Sequence, residues 1–199
     1  MEAPFLRLDI DGLVQYLKTN FHGPGALQAL RLRAAIHFLD PKLDPLSERM
    51  LEAYGVFRDM IGNELVSVLD AGCMSGYLRH FLLQKCPHIG YVGIDSWDEA
   101  LEVGREFQPG IDLRKCDLLK DKIPDRVVSW QKEPGFDYVW LSNIVFEDNQ
   151  KVVDKLLPLA RKALVIAQPP WCGEWPGEKI PCGKTTIYIN KNDLNLHRA

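Results

Sequence analysis

The sequence predicts an α/β protein in three layers, with a doubly wound, mostly parallel sheet between helices on both faces. From residue 64 onward, short apolar runs alternate with stretches of helical periodicity, an order that gives parallel strands joined by right-handed crossovers. A glycine-bearing turn at 70–76 follows the first apolar run and leads into a helical pattern. The chain has 199 residues, 46% hydrophobic and 26% charged, which is enough for one globular domain with a sizeable core.

A helical extension is expected at 1–62, ahead of the first strand. Apolar residues recur at helical spacing over 8–17 and again over 25–39, and a third helix is expected over 47–61 with Ser47 as its cap. Such helices could form a lid, a contact with a second copy or a different partner chain, or a buttress for the sheet. We favour the buttress, because an amphipathic helix most often serves to bury its apolar face.

The predicted domain at 63–199 alternates strands with helices. Strands are expected at 66–70, 90–95, 111–116, 136–141 and 163–167, and helices at 76–84, 96–107 and 148–159. The fifth strand is a short β-branched run, which is typical of strands buried in a parallel sheet. Ligands of such sheets bind beyond the carboxyl ends of the strands, so the functional side chains should follow strands.

Composition and charge argue against several classes of protein. A net charge of −3 and a pI near 6.0 argue against a large surface that binds nucleic acid. The sequence also has no run of about 18 apolar residues, the length that a membrane-spanning helix needs. Five scattered cysteines, with no signal peptide at the amino terminus, indicate a reducing, cytoplasmic compartment. Cys172, Cys182 and His197 fit no zinc-finger spacing, so no metal is expected.

The turn at 70–76 lacks the glycine patterns that bind nucleotide phosphates. Gly72 and Gly76 suit a backbone that turns sharply or approaches a bound molecule. Asp70 precedes the first glycine, where its carboxylate can accept hydrogen bonds from a cationic group. The turn therefore indicates a ligand, and the preceding acid makes a nucleotide phosphate a poor candidate for it.

Acidic or small polar side chains also follow the next three strands. Asp95 ends the second strand, 25 residues after Asp70, and Asp117 follows the third. Ser142 and Asn143 follow the fourth. An acid after the second strand can hold both hydroxyls of a ribose, and one after the third can accept from an adenine amino group. Each acid could instead be an ordinary turn residue. The ordered set argues against this for Asp70 and Asp95, whereas for Asp117 the alternative stays fully open, because lysines flank it.

As an ordered set, four segments at 68–78, 91–95, 113–118 and 136–143 resemble the cofactor motifs of the class I S-adenosylmethionine-dependent methyltransferases. The resemblance spans 64–168 and implies a Rossmann-like fold, with S-adenosylmethionine as cofactor and S-adenosylhomocysteine as product. It implies cofactor contacts from the following residues: Asp70, Gly72, Cys73, Met74 and Gly76 at the methionine end, Asp95 at the ribose, Ser96 and Trp97 along the nucleoside, Asp117 and Leu118 at the adenine, and Ser142 and Asn143 near the sulfonium.

The chain departs from that family in two places. Met74 stands where the family has the central glycine of its first motif, so a side chain is expected where the backbone usually passes the cofactor. After the fifth strand the family usually adds a helix and a β-hairpin, whereas here only 169–199 remain, with one clear strand at 185–190. The carboxyl-terminal strands are therefore expected to be abbreviated, or the hairpin to be missing.

The leading interpretation is a metal-free methyltransferase acting on an oxygen or nitrogen of a small molecule. Methyl transfer from a sulfonium mainly requires alignment and exclusion of water, and a base only where the nucleophile arrives protonated. Glu147, His37 and His22 are hypotheses for that base. Acceptor pockets in this fold come from variable helices and loops, here 1–62 and 169–184, whose apolar and aromatic content favours an organic molecule over nucleic acid.

Two other classes of function remain open. A non-catalytic cofactor-binding module or partner subunit is compatible with the short carboxyl end and with the absence of a compelling base. An NAD-dependent oxidoreductase would share the sheet, the turn and the ribose acid. The missing third glycine, the acid before the turn and the lack of a second substrate domain argue against it.

Overall fold

The structure, a computed structural model, describes residues 12, 15, 19, 25–44, 48–125, 134–142, 149–168, 177–182 and 185–191. Its strands are β1 (Ser67–Ala71), β2 (Gly90–Asp95), β3 (Leu113–Lys115), β4 (Phe136–Ser142), β5 (Ala160–Gln168), β6 (Glu178–Cys182) and β7 (Thr185–Lys191). Its helices are α1 (Ala26–Leu39), α2 (Glu48–Ile61), α3 (Tyr77–Leu83), α4 (Asp98–Phe107) and α5 (Asn149–Leu156), with short 3₁₀ helices at Pro41–Leu43 and Leu157–Leu159.

The strands form one seven-stranded sheet in the order β3-β2-β1-β4-β5-β7-β6. The first five strands are parallel to their neighbours, with β1 in the centre between β2 and β4. The predicted doubly wound, mostly parallel sheet is therefore confirmed. Because β1, β2 and β4 are parallel, their carboxyl ends lie along one edge of the sheet. The order of the strands reverses between β1 and β4, which is where ligands of such sheets bind. Asp70, Asp95 and Ser142 all belong to that edge.

The carboxyl-terminal hairpin is present, so the expectation that it could be missing is wrong. β7 pairs antiparallel with both β5 and β6. The predicted strand at 185–190 corresponds to β7, whereas β6 went unpredicted. It is the outer strand and carries Glu178, Lys179 and Pro181, the charged and proline residues that protect sheet edges. Within the hairpin, β6 has five residues and β7 has seven, and 169–176 lie outside the described residues.

Two hydrophobic clusters hold the layers together, one on each face of the sheet. On one face, Val68 and Trp140 pack with residues of α2, α3 and α4, among them Phe57 and Leu82. On the other face, Leu69, Leu141 and Leu164 pack with α5 through Val152, Val153 and Leu156. Alternate residues of each central strand are therefore buried on opposite faces, as a doubly wound sheet requires.

The two helices that precede β1 pack in different places. α2 lies on the sheet itself, where Phe57 contacts the ring of Trp140 with centroids 4.7 Å apart. α1 lies farther out, where Leu30 and Ala34 pack with Tyr77 of α3 and with α4. The predicted helices at 25–39 and 47–61 are thus confirmed apart from the cap at residue 47, which lies outside the described residues. Of the predicted helix at 8–17, the described residues 12 and 15 are helical.

Local chemistry explains where two other elements differ from the prediction. α5 ends at Leu156 rather than continuing to 159, because Pro158 cannot donate the next helical hydrogen bond and a 3₁₀ turn replaces it. β5 begins earlier than predicted, at Ala160, and Arg161 of this extension forms an ion pair with Asp137 of β4. Among the described residues, no helix is both long and apolar enough to cross a membrane.

Candidate functional site

The turn after β1 has an unusual backbone that β2 holds in place. Gly72 (φ 77°), Met74 (φ 50°) and Gly76 (φ 74°) all lie in the left-handed region, where only glycine is free of strain. The N–H groups of Gly72 and Cys73 donate to the carbonyl oxygen of Ile94, at 2.8 and 3.0 Å. The turn is therefore fixed against the end of β2, at the edge where ligands of this kind of sheet bind.

Packing explains one of the turn's glycines and another in β2. A Cβ atom on Gly76 would lie 2.6 Å from the Cδ1 atom of Ile111, and one on Gly93 would lie 2.7 Å from the Sγ atom of Cys73. The Cys73 side chain is buried, and this burial raises the pKa of its thiol well above the ordinary value. The backbone of Cys73 is also engaged, since its N–H donates to Ile94 and its carbonyl accepts from Gly76 at 2.9 Å, so the ligand contact that the resemblance implies for Cys73 stays a prediction.

The carboxylate of Asp95 joins the turn to the segment that follows β2. Its Oδ2 atom accepts from the N–H of Met74 at 2.9 Å, and its Oδ1 atom accepts from the N–H of Trp97 at 3.0 Å. Burial raises the pKa of Asp95, whereas these backbone hydrogen bonds and a third from Ser96 lower it. Asp95 therefore stands where a ribose acid is predicted, and it also supports the turn itself.

Asp70 is a buried acid at the centre of the sheet. Only 2% of its surface is exposed, and its Oδ2 atom accepts a hydrogen bond of 2.6 Å from the hydroxyl of Tyr91. Burial raises the pKa of Asp70 to about 7, the hydrogen bond from Tyr91 opposes that rise, and the charge of Asp95 adds to it. A carboxyl group in this setting gains from a cation that approaches it.

Met74 does not fill the edge of the sheet. Its side chain packs against the cluster between α1 and α4, and its Sδ atom accepts a hydrogen bond of 3.4 Å from the guanidinium of Arg33. The Met74 side chain therefore ties the turn to α1. The backbone of Met74 still adopts the left-handed conformation that a glycine there would adopt.

A buried ionic cluster lies beside this contact, and the sequence reasoning missed it. Arg33 donates through Nε to the carboxylate of Asp44 at 3.1 Å, and both side chains are almost fully buried. The Nδ1 atom of His37 lies 3.4 Å from the same carboxylate. The signal was available: Arg33 is three residues from Leu30 and four from His37, which puts a charge on the apolar side of a helix.

His37, one of three hypotheses for a base, belongs to this cluster. Its side chain has no exposed surface, and its ring lies 4.3 Å from that of Tyr77, centroid to centroid. The structure thus gives His37 a role in holding α1 to α3. The other two hypotheses, His22 and Glu147, lie outside the described residues.

Asp117, the predicted adenine acid, is hydrogen-bonded within its own turn. Its Oδ1 atom accepts from the N–H of Leu119 at 2.9 Å, and its Oδ2 atom accepts from Nζ of Lys120 at 2.8 Å. The hydrogen bond from Lys120 lowers the pKa of Asp117. Leu118 is 5% exposed and packs in the hydrophobic cluster with Ile123. This end of the predicted site is therefore more self-contained than the turn after β1.

Of the remaining predicted residues, Ser96 and Trp97 follow β2 and Ser142 ends β4. Ser142 is half-buried at the end of β4, and Asn143 lies outside the described residues. Ser96 is exposed, whereas Trp97 is half-buried and packs beside Met74. Among the described residues, no three His, Cys, Asp or Glu side chains come together as a metal site would require.

Comparison with known proteins finds similarity in structure only. No family model and no curated protein matches the sequence. An O-methyltransferase family 2 protein from Planctomyces limnophilus, solved with apigenin, superposes with a TM-score of 0.54 over 89% of this chain and 69% of its own, at 17% identity. A Thermoplasma acidophilum protein superposes with a TM-score of 0.51 over 74% and 86%, at 15% identity.

A third solved structure is a provisionally assigned sarcosine dimethylglycine methyltransferase from Galdieria sulphuraria. Its TM-score is 0.50 at 17% identity, over 64% of this chain and 49% of its own, so this chain spans about half the length of that protein. At such identities the likeness is one of fold. The chain has the Rossmann-like α/β fold that the two methyltransferases among these structures share.

Proposed function

We propose that this chain, which has the Rossmann-like fold of methyltransferases, binds S-adenosylmethionine and transfers its methyl group to an oxygen or nitrogen of a small organic molecule. One observation carries the proposal. Two acids, Asp70 and Asp95, lie near the carboxyl ends of the neighbouring strands β1 and β2, on either side of a left-handed turn. Both are desolvated, and burial raises the pKa of both.

The chemistry of these residues fits such a cofactor. Its amino-acid end carries an ammonium group, which a buried carboxyl such as Asp70 favours. Its ribose offers hydroxyl donors, and a carboxylate can accept about four hydrogen bonds. Because Asp95 already accepts from the backbone N–H groups of Met74, Ser96 and Trp97, it would have about one acceptor site left for a ribose hydroxyl. The C=O group of Gly72 and the side chain of Ser142 would complete the contacts, since the N–H of Gly72 already donates to Ile94.

In the reaction, the residues of the chain mainly have to orient the cofactor and exclude water. When bound, S-adenosylmethionine supplies an electrophilic methyl group on a sulfonium. The turn and Asp95 would orient it, and the helices before β1 would exclude water from that edge. Ser142, which ends β4, is a described residue that is predicted to lie near the sulfonium.

The sheet order favours this function over a dinucleotide-dependent oxidoreductase. The common dinucleotide-binding order is 3-2-1-4-5-6 with parallel strands. Here an antiparallel β7 lies between β5 and β6. A non-catalytic cofactor-binding subunit is the stronger second candidate, because His37, the one base hypothesis in the described residues, is buried in an ionic cluster.

Transfer of a labelled methyl group separates the two candidates. The purified chain is incubated with S-adenosylmethionine carrying a radioactive methyl group and with the small-molecule fraction of a cell extract. A methyltransferase gives labelled products that require the intact chain and disappear in Asp95→Ala. A chain that binds the cofactor in a separate titration but labels nothing in any fraction is a binding subunit instead.

A further inference from the structure

Tyr91 reaches Asp70 from the neighbouring strand. In the register of β1 and β2, Tyr91 is opposite Val68, and Asp70 is opposite Gly93. The Tyr91 side chain therefore extends two residues along the sheet, toward the carboxyl edge, to place its hydroxyl 2.6 Å from Asp70. Gly93 has no side chain, so nothing on β2 stands between them.

Both members of this pair are removed from solvent. Tyr91 is 6% exposed and Asp70 is 2% exposed. Burial raises the pKa of the Tyr91 hydroxyl well above its ordinary value, and the charge of Asp70 raises it further, so Tyr91 remains a donor at every physiological pH. A buried hydroxyl of this kind fixes the direction of its acceptor, since a misplaced donor would be left unsatisfied.

The titratable groups that interact with Asp70 come from three elements. Tyr91 and Asp95 of β2 shift the pKa of Asp70, and the charge of Asp70 in turn raises the pKa of Cys73 in the turn and of Tyr54 in α2. Each of these is an acid, a thiol or a phenol. Within the described part of the chain, none of the groups that act on Asp70 is a cation.

We propose that Tyr91 is a positioning residue of the cofactor site: its hydroxyl fixes Asp70 as the acceptor for an ammonium group, and ligand binding releases the proton that Asp70 carries. The inference rests on the proposed function and adds a residue and a linked proton to it. The proton leaves the Asp70 carboxyl for solvent, and the ammonium group of the ligand takes its place as the partner of that oxygen.

The first test is the pH dependence of S-adenosylhomocysteine binding by calorimetry. If Asp70 must ionise, with a pKa of about 7, affinity should rise about tenfold between about pH 6 and pH 8. Titrations in buffers of different ionisation enthalpy should show proton release at the lower pH. In Asp70→Asn the affinity is expected to be lower at pH 8, and both the rise and the proton release should vanish.

Tyr91→Phe tests the positioning role. Loss of the hydroxyl should raise the pKa of Asp70, so the pH midpoint of binding moves upward and affinity at pH 7 falls about three- to tenfold. Affinity should recover toward that of the original protein above pH 8. Tyr138→Phe is the matched control, since Tyr138 is also buried on this face of the sheet but lies near Lys162. Its midpoint should not move.

Three outcomes overturn the inference or its premise separately. A loss of affinity in Tyr91→Phe that is equal at every pH makes Tyr91 merely structural. Binding without proton release overturns the linked proton. If the ligand does not bind at any pH, the proposed function fails, and the carboxyl carbon of labelled Asp70 still tests the pair: its NMR titration midpoint should be higher in Tyr91→Phe than in the original protein.

Discussion

The end of β1 and the turn after β3 both place an aspartate near the carboxyl ends of the strands, yet the environments of these two aspartates are opposite. Asp70 is buried, and its pKa rises to about 7. Asp117 bonds to Lys120 and to its own turn, and its pKa falls. A carboxyl group kept without a cation in the core costs stability, whereas one that caps a turn does not. The contrast supports the proposal that the turn after β1 is the functional end.

The two turns also differ in what covers them. α1 packs over the first turn through Met74, and the buried pair of Arg33 and Asp44 lies beside that contact. The turn after β3 is largely exposed, and its ion pair with Lys120 is at the surface. Buried pairs are costly to break, whereas surface pairs contribute little. The cover over the first turn should therefore be the more sensitive of the two to mutation.

The largest effect is expected from Asp44→Ala. It leaves the buried guanidinium of Arg33 without its carboxylate, which should lower the free energy of unfolding by about 3–5 kcal/mol. Urea denaturation measures it. Asp117→Ala is the control at the other turn and should change stability little, because its partner Lys120 is exposed. Equal losses of stability in the two variants would contradict the conclusion that α1 covers the turn after β1 more tightly than anything covers the turn after β3.

Asp70→Asn should stabilise the protein without ligand. The pKa of Asp70 is about 7 in the fold against an ordinary value of 3.8, so the native state holds the additional proton and stability falls as pH rises from about 4 to about 7. Removing the charge should therefore raise the free energy of unfolding by up to about 4 kcal/mol at pH 8 and hardly at all near pH 4.

Urea denaturation of Asp70→Asn at these two pH values checks the sign. Asp117→Asn serves as the matched variant, because the pKa of Asp117 is lowered and its charge is already well accommodated. It should show no gain at pH 8. If Asp70→Asn is less stable than the original protein at both pH values, Asp70 is a structural acid and the contrast between the turns loses its meaning.

Asp95→Ala should weaken binding of S-adenosylhomocysteine by at least about tenfold, or about 1.4 kcal/mol. The carboxylate supports the turn, through Met74, and it is the group that we propose to hold the ribose. Asp117→Ala should weaken binding less than Asp95→Ala does. Calorimetry of the two variants ranks the two ends of the site, and the reverse ranking would place the important acid after β3.

Met74→Gly should have the smallest effect. A glycine relieves a left-handed backbone, at roughly 1 kcal/mol, but it removes the contacts with Arg33 and with the cluster under α1. The two changes oppose each other, so stability should change by less than about 1 kcal/mol. Cofactor affinity should stay within about threefold. Binding that becomes tenfold tighter would mean that the Met74 side chain obstructs the ligand.

The sequence predicts the sheet well because its parallel strands are continuous apolar runs. β2 has the predicted bounds, and the acids at the ends of β1 and β2 lie at one edge as expected. β6 was not predicted, because an outer strand needs no apolar pattern and its proline and charged residues are typical of loops as well.

The features of the site that went unpredicted depend on contacts between distant parts of the chain. In the sequence, nothing distinguishes Tyr91 from other strand residues. Its contact with Asp70 depends on the register of β1 and β2. The Arg33–Asp44 pair requires α1 to fold back on the segment that follows it. The direction of the Met74 side chain likewise depends on where α1 packs, which no local pattern specifies.

We propose that the turn after β1 and the acids beside it bind the sulfur-containing cofactor. Calorimetric titration of the purified chain with S-adenosylmethionine, S-adenosylhomocysteine and NAD tests this proposal directly. We expect the two sulfur-containing ligands to bind with dissociation constants well below about 1 mM and NAD not to bind, a difference of several kcal/mol at micromolar affinity. Binding of NAD alone, or of none of the three below about 1 mM, would contradict it.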